Sequence, residues 1–541
     1  PHHLSDRGRA LRLLEEDIAM QETLAAGQQA AAGNVVSRAH HAQDIDLQLA
    51  DLRYGHIHHW SQQACRQQGK LTVAQSEWLD RALLNRWVGI PFFLLVMYLM
   101  FMFAIKVGSA FIDFFDILGG ALFVDGVHHL LGLAAAPDWL GAVLADGVGA
   151  GLQTVATFIP VVGCLFLFLA VLESSGYLAR AAFVVDALMR RLGLPGKAFV
   201  PMLMGFGCTV PAVMATRTLG SERERLMTSA MAPFMSCGAR LPVYALFAVA
   251  FFPESGQNLV FGLYLLGILV AVLTGLFLRS TLLPGKSDSM VMEMPDYEWP
   301  RPVDVGLRTW QKLKGFIFGA GKTIVLMVAV LSVLNSLGTD GSFGNQDQER
   351  SVLSQLSQTV TPVLHPIGIR DDNWQATVGI LTGIFAKEAV VATLNSLYAG
   401  GAGDEEASEY SLLGSLKEAL ATIPANLADI DPADPMGRKV GELEDKQAAA
   451  EAQEVDTSTY GNMQTHFDGV AGAFAYLLFV LLYMPCAAAM GALVRETGRQ
   501  WALFTAAWCN YMAFMCATLF YQLATFAAHP EQSLLWTLSY G

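Results

Sequence analysis

The sequence predicts an all-α polytopic membrane protein with an inverted repeat of two gate units that contain broken or re-entrant helices, preceded by a short cytoplasmic helical region. Three observations lead to this fold class. The 541 residues are 53% hydrophobic and only 15% charged, which is too apolar for an ordinary soluble protein. Apolar runs of about 20 residues, the length an α-helix needs to cross a bilayer, recur along the chain. Two of the apolar runs are interrupted.

Seven uninterrupted runs predict membrane-spanning helices at residues 90–112, 151–172, 226–252, 258–281, 315–337, 468–493 and 500–525. The interrupted runs, 197–217 and 375–397, are expected to dip into the membrane and return. Lys and Arg favour cytoplasmic loops, so their absence between Phe111 and Gln153 predicts a loop that faces outward. One inward-facing and one outward-facing dip would form an inverted pair. Weak similarity between the segments around Cys237 and Cys486 supports the repeat.

Four regions are expected. Residues 1–80 form a cytoplasmic helical region with helices at 11–31 and 42–68, and lack the apolar segment of a signal peptide. Residues 81–285 hold the first transmembrane half, 286–314 a cytoplasmic loop, and 315–541 the second half with an acidic loop at 398–466. The formal charge of −14 is concentrated in that acidic loop, which indicates a solvated linker. No nucleic-acid partner is expected.

The cysteines are odd in number and lie mostly in apolar segments, which argues against a disulfide framework. Cys208, Cys237 and Cys486 each adjoin a proline or glycine within an apolar run. Thiolates beside freed backbone carbonyls suit a soft or borderline cation such as Fe(II). The alternative is that these cysteines pack as small hydrophobes. Glu173, which ends a run beside two serines, is predicted either as a further metal ligand or as an interfacial cap.

Lys387 and Glu388 are adjacent charged residues inside an apolar run. A charge at the centre of a membrane helix costs about 2.5–3.5 kcal/mol, so each should have a partner, with Glu173, Arg217 and Arg240 as candidates. The predicted lining of the gate is completed by residues that surround the interruptions: Thr209, Pro211, Arg217, Met231, Ser236, Arg240 and Pro485.

Two catalytic classes are not supported by the sequence. Gly321-Lys322-Thr323 resembles the end of a phosphate-binding loop, but Phe316 stands where its first glycine should be, so no nucleotide site is predicted. The H-E-x-x-H motif of a metal-dependent protease is also lacking. We therefore expect a transporter and not an enzyme.

Several long segments together resemble one family. They are LLEEDI, ADLRYGHI, LNRWVGIPFFLLVMYLMF, LESSGYLARAAFVVDALM, LPGKAFVPMLMGFGCTVPAVMATRTL, RERLMTSAMAPFMSCGARLPVYALF, MEMPDYEWP, DNWQATVGILTGIFAKEAVVATLNSLY and FVLLYMPCAAAMGALVRE. The chain closely resembles the ferrous-iron transporter B family, FeoB, over nearly its whole length. The resemblance implies an Fe(II) permease of the bacterial inner membrane whose gate motifs match residues 205–219 and 383–394. It also places Cys208, Cys237 and Cys486 on family motif cysteines.

The resemblance also implies features outside this sequence. Family members usually begin with a GTP-binding G domain that uses GTP and Mg, and they usually have a last span; neither is found here. The segments LLEEDI and ADLRYGHI look like the end of the helical regulatory domain that follows the G domain. Implied partners are Fe(II), the lipid bilayer, the chain's own G domain, small FeoA- and FeoC-type accessory proteins and further copies in a homo-oligomer. The rival hypothesis is a carrier of a small organic solute, such as a nucleoside, through the same gate fold.

Overall fold

The computed structural model describes residues 33, 34, 36, 45–64 and 73–540, except 254, 286–294, 296, 347, 400–410, 429–449, 451, 452, 454 and 528. All regular secondary structure within these ranges is helical. The chain divides into two compact units, 1–70 and 71–541.

The first unit contains helix α1, Ile45–Ala64. Its described side chains are exposed from Ala50 onward. The helix predicted at 42–68 is therefore confirmed over these residues, whereas the helix predicted at 11–31 lies outside the described residues.

The second unit is a helical membrane domain. Its helices are α2 Val73–Leu83, α3 Arg86–Ser109, α4 Ile112–Gly119, α5 Gly126–Leu133, α6 Asp138–Val143, α7 Ala150–Ser174, α8 Tyr177–Arg191, α9 Phe199–Gly207, α10 Thr209–Ala215, α11 Glu222–Met231, α12 Leu241–Phe251, α13 Gly256–Ser280, α14 Pro302–Phe316, α15 Lys322–Ser336, α16 Val352–Val360, α17 Trp374–Phe385, α18 Ala389–Ala399, α19 Leu412–Ala428, α20 Thr457–His466, α21 Gly469–Leu482, α22 Ala487–Thr497, α23 Arg499–Ala524 and α24 Pro530–Tyr540.

Seven stretches of the described chain are long and apolar enough to cross a membrane: Trp87–Leu133, Trp139–Ser174, Glu222–Phe251, Gly256–Ser280, Pro302–Ser336, Gly469–Thr497 and Arg499–Ala524. Each contains one of the seven uninterrupted apolar runs almost completely. The chain is thus a multi-pass membrane protein, as its composition predicted.

The segment between Phe111 and Gln153 was predicted as a loop, and its conformation differs from that prediction, whereas its outward-facing side stays a prediction. The segment is helical, with π-helical turns at Gly120–Asp125 and Leu144–Gly149 that connect α4 to α5 and α6 to α7. Charge distribution reports on which side of a membrane a segment lies and not on its conformation. The aspartates here are separated by apolar residues at helical spacing, so they do not prevent helix formation.

Two other predicted loops are also partly helical. The cytoplasmic loop expected at 286–314 contains most of α14, which continues through a π-helical turn at Ile317–Gly321 into α15. The acidic loop expected at 398–466 contains α19 and α20. In α19 the Asn426 amide donates to Asp113 of α4 at 2.7 Å. These segments therefore fold onto the membrane domain where they are described.

Four helices of the membrane domain are broken. The breaks lie between α9 and α10, α11 and α12, α17 and α18, and α21 and α22. The first and third correspond to the interrupted runs 197–217 and 375–397, so these two interruptions are confirmed. The second and fourth occur inside 226–252 and 468–493, which were predicted as continuous spans. Apolar residues flank these breaks on both sides, so hydropathy alone did not reveal them.

Candidate functional site

Three cysteines occupy the same structural position at three of the breaks. Cys208 has extended backbone angles (φ −154°, ψ 132°) and is the N-cap of α10. Cys486 is the N-cap of α22. Cys237 precedes a 3₁₀ turn, Gly238–Arg240, that leads into α12. First-turn N–H groups of a helix lack intrahelical acceptors, and the positive end of the helix dipole favours an anionic group such as a thiolate.

These thiols lie on neighbouring segments, since Cys208 and Cys486 pack against the same buried apolar cluster and the Gly207 carbonyl lies close to Gly238. Cys208 interacts electrostatically with Cys486, Cys237 and Glu388, so the first, second, third and fourth breaks meet. All three cysteines are partly exposed and Glu388 is exposed, although the neighbouring segments of α10, α12 and α22 are buried. We call the space between these four side chains the vestibule.

The position of Pro211 in an apolar run suggested that it kinks a helix interior. The structure shows that it does not. It lies in the first turn of α10, where a missing N–H is tolerated. Its lack of an N–H still deprives the Gly207 carbonyl of its helical donor. This carbonyl lies close to Gly238, where an added Cβ would be 3.7 Å from the oxygen. Thr209 is buried beside it.

The predicted metal ligands do not form a closed coordination shell in this conformation. Within the described part of the chain, no three His, Cys, Asp or Glu side chains lie close enough together to hold a metal ion. Glu173 lies at the end of α7, where its carboxylate accepts a hydrogen bond from Lys312 Nζ at 2.9 Å and lies 3.8 Å from Arg308. The geometry therefore favours the interfacial alternative for Glu173.

Lys387 and Glu388 have different surroundings. Lys387 is only 3% exposed, and its Nζ lies 4.1 Å from the centroid of the Tyr483 ring. Glu388 is exposed at the vestibule. Of the three predicted partners, Arg240 lies within electrostatic range of Lys387 and carries the same charge, whereas Glu173 and Arg217 pair with Lys312 and Glu496.

Arg217 has a partner that the sequence did not indicate. Its guanidinium donates two hydrogen bonds to the Glu496 carboxylate, one of them from Nε at 2.5 Å. Glu496 is near the end of α22, and its side chain is only 5% exposed. Arg495 Nε lies 3.9 Å from the same carboxylate. A cavity of about 40 Å³ lies beside this pair, lined by Val210, Met214, Gly315, Gly319, Ala320, Gly491, Ala492, Arg495 and Glu496.

The remaining predicted lining residues are fixed by packing. Ser236 is buried and shares a hydrogen bond of 2.9 Å with the Tyr244 hydroxyl. Met231 is fully buried, and a Cβ added at Gly275 would lie 2.7 Å from its sulfur. Pro485 is buried immediately before Cys486. These residues hold the walls of the breaks in place.

A polar node that the sequence did not single out lies in the membrane domain beside α2. Arg180, 2% exposed, donates to Asp80 at 2.6 Å and to the Pro295 carbonyl at 2.8 Å. Its guanidinium stacks 3.6 Å from the centroid of the Tyr297 ring, and the Tyr297 hydroxyl donates to Asp80 at 2.8 Å. One buried cation thus joins α2, α8 and the segment before α14.

The charge state of this node follows from its contacts. Burial alone would raise the pKa of Asp80, but hydrogen bonds from Arg180 and Tyr297 and the charge of Arg180 lower it further than burial raises it. The pKa of Asp80 therefore lies below its ordinary value. Burial, together with the Asp80 hydrogen bond, raises the pKa of Tyr297. At neutral pH the node contains an ionised carboxylate and a neutral phenol.

Comparison with known proteins places these features in a family. The family model described as "Gate: Nucleoside recognition" matches residues 155–251 and 317–500, which include all four breaks. The family model described as "Ferrous iron transport protein B C terminus" matches residues 260–312. No solved structure matches the chain.

Curated relatives extend the match. The Fe(2+) transporter FeoB of Legionella pneumophila (strain Lens) is 46% identical over 500 residues, which cover 92% of this chain and 66% of the relative. The proteins of the same name from Escherichia coli (strain K12) and Shigella flexneri are each 42% identical over 556 residues, covering 99% of this chain and 71% of the relative. The chain therefore spans about two thirds of the length of these relatives.

Proposed function

Because the chain belongs to the ferrous iron transport protein B family, FeoB, we propose that it forms the Fe(II) pathway of a permease in the bacterial inner membrane. The observation that carries this proposal is the placement of Cys208, Cys237 and Cys486 at the starts of helices that follow neighbouring breaks, with Glu388 within electrostatic range of Cys208. Thiolates and a carboxylate can replace the water ligands of a borderline cation. Broken helices supply additional backbone carbonyls at the same depth.

Fe(II) binds in the vestibule weakly enough to be released. A closed set of three ligands would hold the ion tightly, whereas a permeation site must also release it. In the described residues the thiols are near one another without forming such a set. We assign Fe(II) to two side chains at a time from among the three thiols and Glu388, with freed carbonyls such as that of Gly207, and Glu173 to the ion pair with Lys312.

Alternating access would come from relative movement of the two gate units around the vestibule. α10 and α22 both begin at a break cysteine and end near the Arg217–Glu496 pair. Opening this end requires the ion pair to separate. The inverted orientation of the two units is part of the proposal, as is a cytoplasmic N-terminus.

Anaerobic equilibrium dialysis of Fe(II) with the purified chain tests the site. We expect loss of saturable binding in the triple variant Cys208→Ser, Cys237→Ser, Cys486→Ser, and partial loss in each single variant. The matched control is Cys164→Ser with Cys516→Ser, because these half-buried cysteines lie in α7 and α23, outside the vestibule. Undiminished binding in the triple variant would contradict thiolate coordination.

A second candidate function follows from one observation. The family model whose matched residues include all four breaks carries the description "Nucleoside recognition". A small organic solute is therefore the alternative cargo. Uptake into proteoliposomes distinguishes the two. Transport of a labelled nucleoside that depends on Lys387 and Glu388 but survives the triple cysteine variant would favour the organic solute.

The remaining functional assignments concern the rest of the protein. We propose that a G domain, using GTP and Mg, controls the vestibule through the residue 1–80 region. FeoA- and FeoC-type proteins and assembly into a homo-oligomer are further proposed interactions. One set of proteoliposomes would contain the protein with its G domain, and a second set the present chain without it. Comparing the Fe(II) uptake rates of the two sets with and without added GTP would test this control.

A further inference from the structure

We propose that Arg240, Lys387 and Tyr483 form a binding site for a small inorganic anion beside the vestibule. Here these three residues are named the cationic cluster. Their side chains are 2%, 3% and 1% exposed, respectively. Lys387 Nζ stacks on the Tyr483 ring, and Arg240 interacts electrostatically with both Tyr483 and Lys387. Two basic residues are thus buried within electrostatic range of each other in the core of the membrane domain.

One hydrogen-bond donor of each residue in the cluster is unused. Lys387 Nζ, Arg240 Nε and Tyr483 Oη are buried and have no hydrogen-bond partner among the described residues. Arg240 makes one long hydrogen bond, from Nη1 to the Pro233 carbonyl at 3.3 Å. A buried polar group without a partner costs about 1–3 kcal/mol, and more when it is charged. Lysine and arginine can only donate, so the missing partner has to be an acceptor.

No carboxylate forms a direct ion pair with the cluster in the described part of the chain. None of the ion pairs within 4.0 Å in the described chain involves Arg240 or Lys387, although Glu388 acts electrostatically on Lys387 from the vestibule. A monovalent anion supplies both the negative charge and the acceptors that the cluster lacks.

The surroundings favour a small anion. A Cβ at Gly383 would lie only 2.3 Å from Tyr483 Oη, so α17 closes one side of the cluster. α18 begins directly after Lys387 and Glu388 and runs for 11 residues. The positive end of its dipole adds to the field around Lys387. The unpartnered donors and the basic side chains favour a small monovalent anion such as chloride or nitrate.

An anion at this position would affect passage of a cation. Cys237 and Cys486 interact electrostatically with Lys387 as well as with Cys208. Without an anion, the two buried cations oppose entry of a second positive charge into the vestibule. With the anion bound, this repulsion is reduced. The inference does not depend on which solute the vestibule carries.

The test uses the purified full chain in detergent, without iron, in potassium gluconate at constant ionic strength. Chloride replaces gluconate stepwise, while ³⁵Cl NMR line width and the midpoint of thermal unfolding are measured. We expect saturable line broadening and a saturable rise of the midpoint. The variant Lys387→Met should weaken both effects at least tenfold. The matched control Lys322→Met removes an exposed lysine of α15 and should behave like the starting protein.

Tyr483→Phe provides a second variant if Lys387→Met does not fold. It retains the ring and removes one donor, so we expect the chloride affinity to fall several-fold. No saturable chloride effect in the starting protein would overturn the proposal. An equal effect in the starting protein and in Lys387→Met would also overturn it, since the chloride would then bind elsewhere. Because iron is absent, neither result bears on Fe(II) transport.

Discussion

Arg217 and Glu496 are 279 residues apart in the sequence and form a two-pronged ion pair between the turn after α10 and the end of α22. Arg217 follows α10, and Glu496 lies near the end of α22. Both helices start at a cysteine of the vestibule. The pair therefore fixes the ends of two half-helices whose other ends line the proposed pathway.

Replacing the buried carboxylate of Glu496 should destabilise the packing at the ends of α10 and α22. Glu496→Gln retains the shape but leaves Arg217 without a counter-charge, and we expect a loss of about 2 kcal/mol in stability. Thermal unfolding in detergent measures it. Glu222→Gln, at an exposed position near the same end, is the control and should change stability by less than about 0.5 kcal/mol. Equal midpoints for both variants would show that the pair contributes nothing to stability.

Water access to the vestibule can be read from thiol chemistry. A charged, membrane-impermeant methanethiosulfonate should label Cys208, Cys237 and Cys486, because they are partly exposed beside Glu388. Cys509 is fully buried and should stay unlabelled. Peptide mass spectrometry after a time course gives the order. Labelling of Cys509 as fast as Cys486 would contradict the arrangement.

The contact between α17 and Tyr483 predicts a severe effect of one methyl group. In Gly383→Ala the new Cβ would lie 2.3 Å from Tyr483 Oη and 2.8 Å from Val390, so we expect a loss of about 1–3 kcal/mol. Adding Tyr483→Phe should recover part of it, as thermal unfolding of the two variants would show. Gly262→Ala is the matched control, since no atom lies within 4 Å of its added Cβ.

The node around Arg180 predicts that α2 is held by one carboxylate. Asp80→Asn removes the charge that Arg180 and Tyr297 contact, and we expect α2 to lose about 2 kcal/mol of protection. This corresponds to more than a tenfold faster amide exchange in residues 73–83, measured by mass spectrometry. Glu77→Gln, on an exposed turn of the same helix, should leave the exchange unchanged.

The same node has a defined pH dependence. Since the pKa of Asp80 is below its ordinary value when folded, its stabilising effect is complete above the unfolded pKa of about 4. It is lost as the pH falls through the lower folded pKa. The protection factors of the α2 amides, which correct the exchange rates for the intrinsic effect of pH, should therefore be constant between pH 7 and 5. They should decrease only below about pH 4. A decrease between pH 7 and 6 would require a different titrating group.

Local sequence signals predicted the parts of the site that depend on local chemistry. Cys208 between glycine and threonine, and the Lys387–Glu388 pair, marked real breaks because polar groups in an apolar run are costly. The breaks near Cys237 and Cys486 were recognised only as prolines and glycines inside continuous spans. There the backbone departs from the helix while nearly every neighbouring side chain stays apolar.

The contacts between distant segments could not be predicted in this way. Nothing in the sequence near Arg217 indicates that its partner is Glu496. Tyr483 looked like an ordinary aromatic residue before the Met-Pro-Cys segment, yet it contacts Lys387. Arg180 was part of a motif and had no assigned role, because its partners lie about 100 residues away on either side. Such pairings depend on packing of whole helices and not on local spacing.

The lengths of the broken helices relate the vestibule to the membrane potential. α9, α10, α17 and α18 contain 9, 7, 12 and 11 residues, which is roughly 10–18 Å each at 1.5 Å per residue. Each therefore covers roughly one third to three fifths of the ~30 Å hydrocarbon layer, so a pair of half-helices that crosses the layer places its break near the middle. A divalent cation arriving there has crossed about half the voltage, equivalent to about 2 kcal/mol per 100 mV. Occupancy of the thiols should thus rise when the cell interior becomes more negative, with no movement of the protein required.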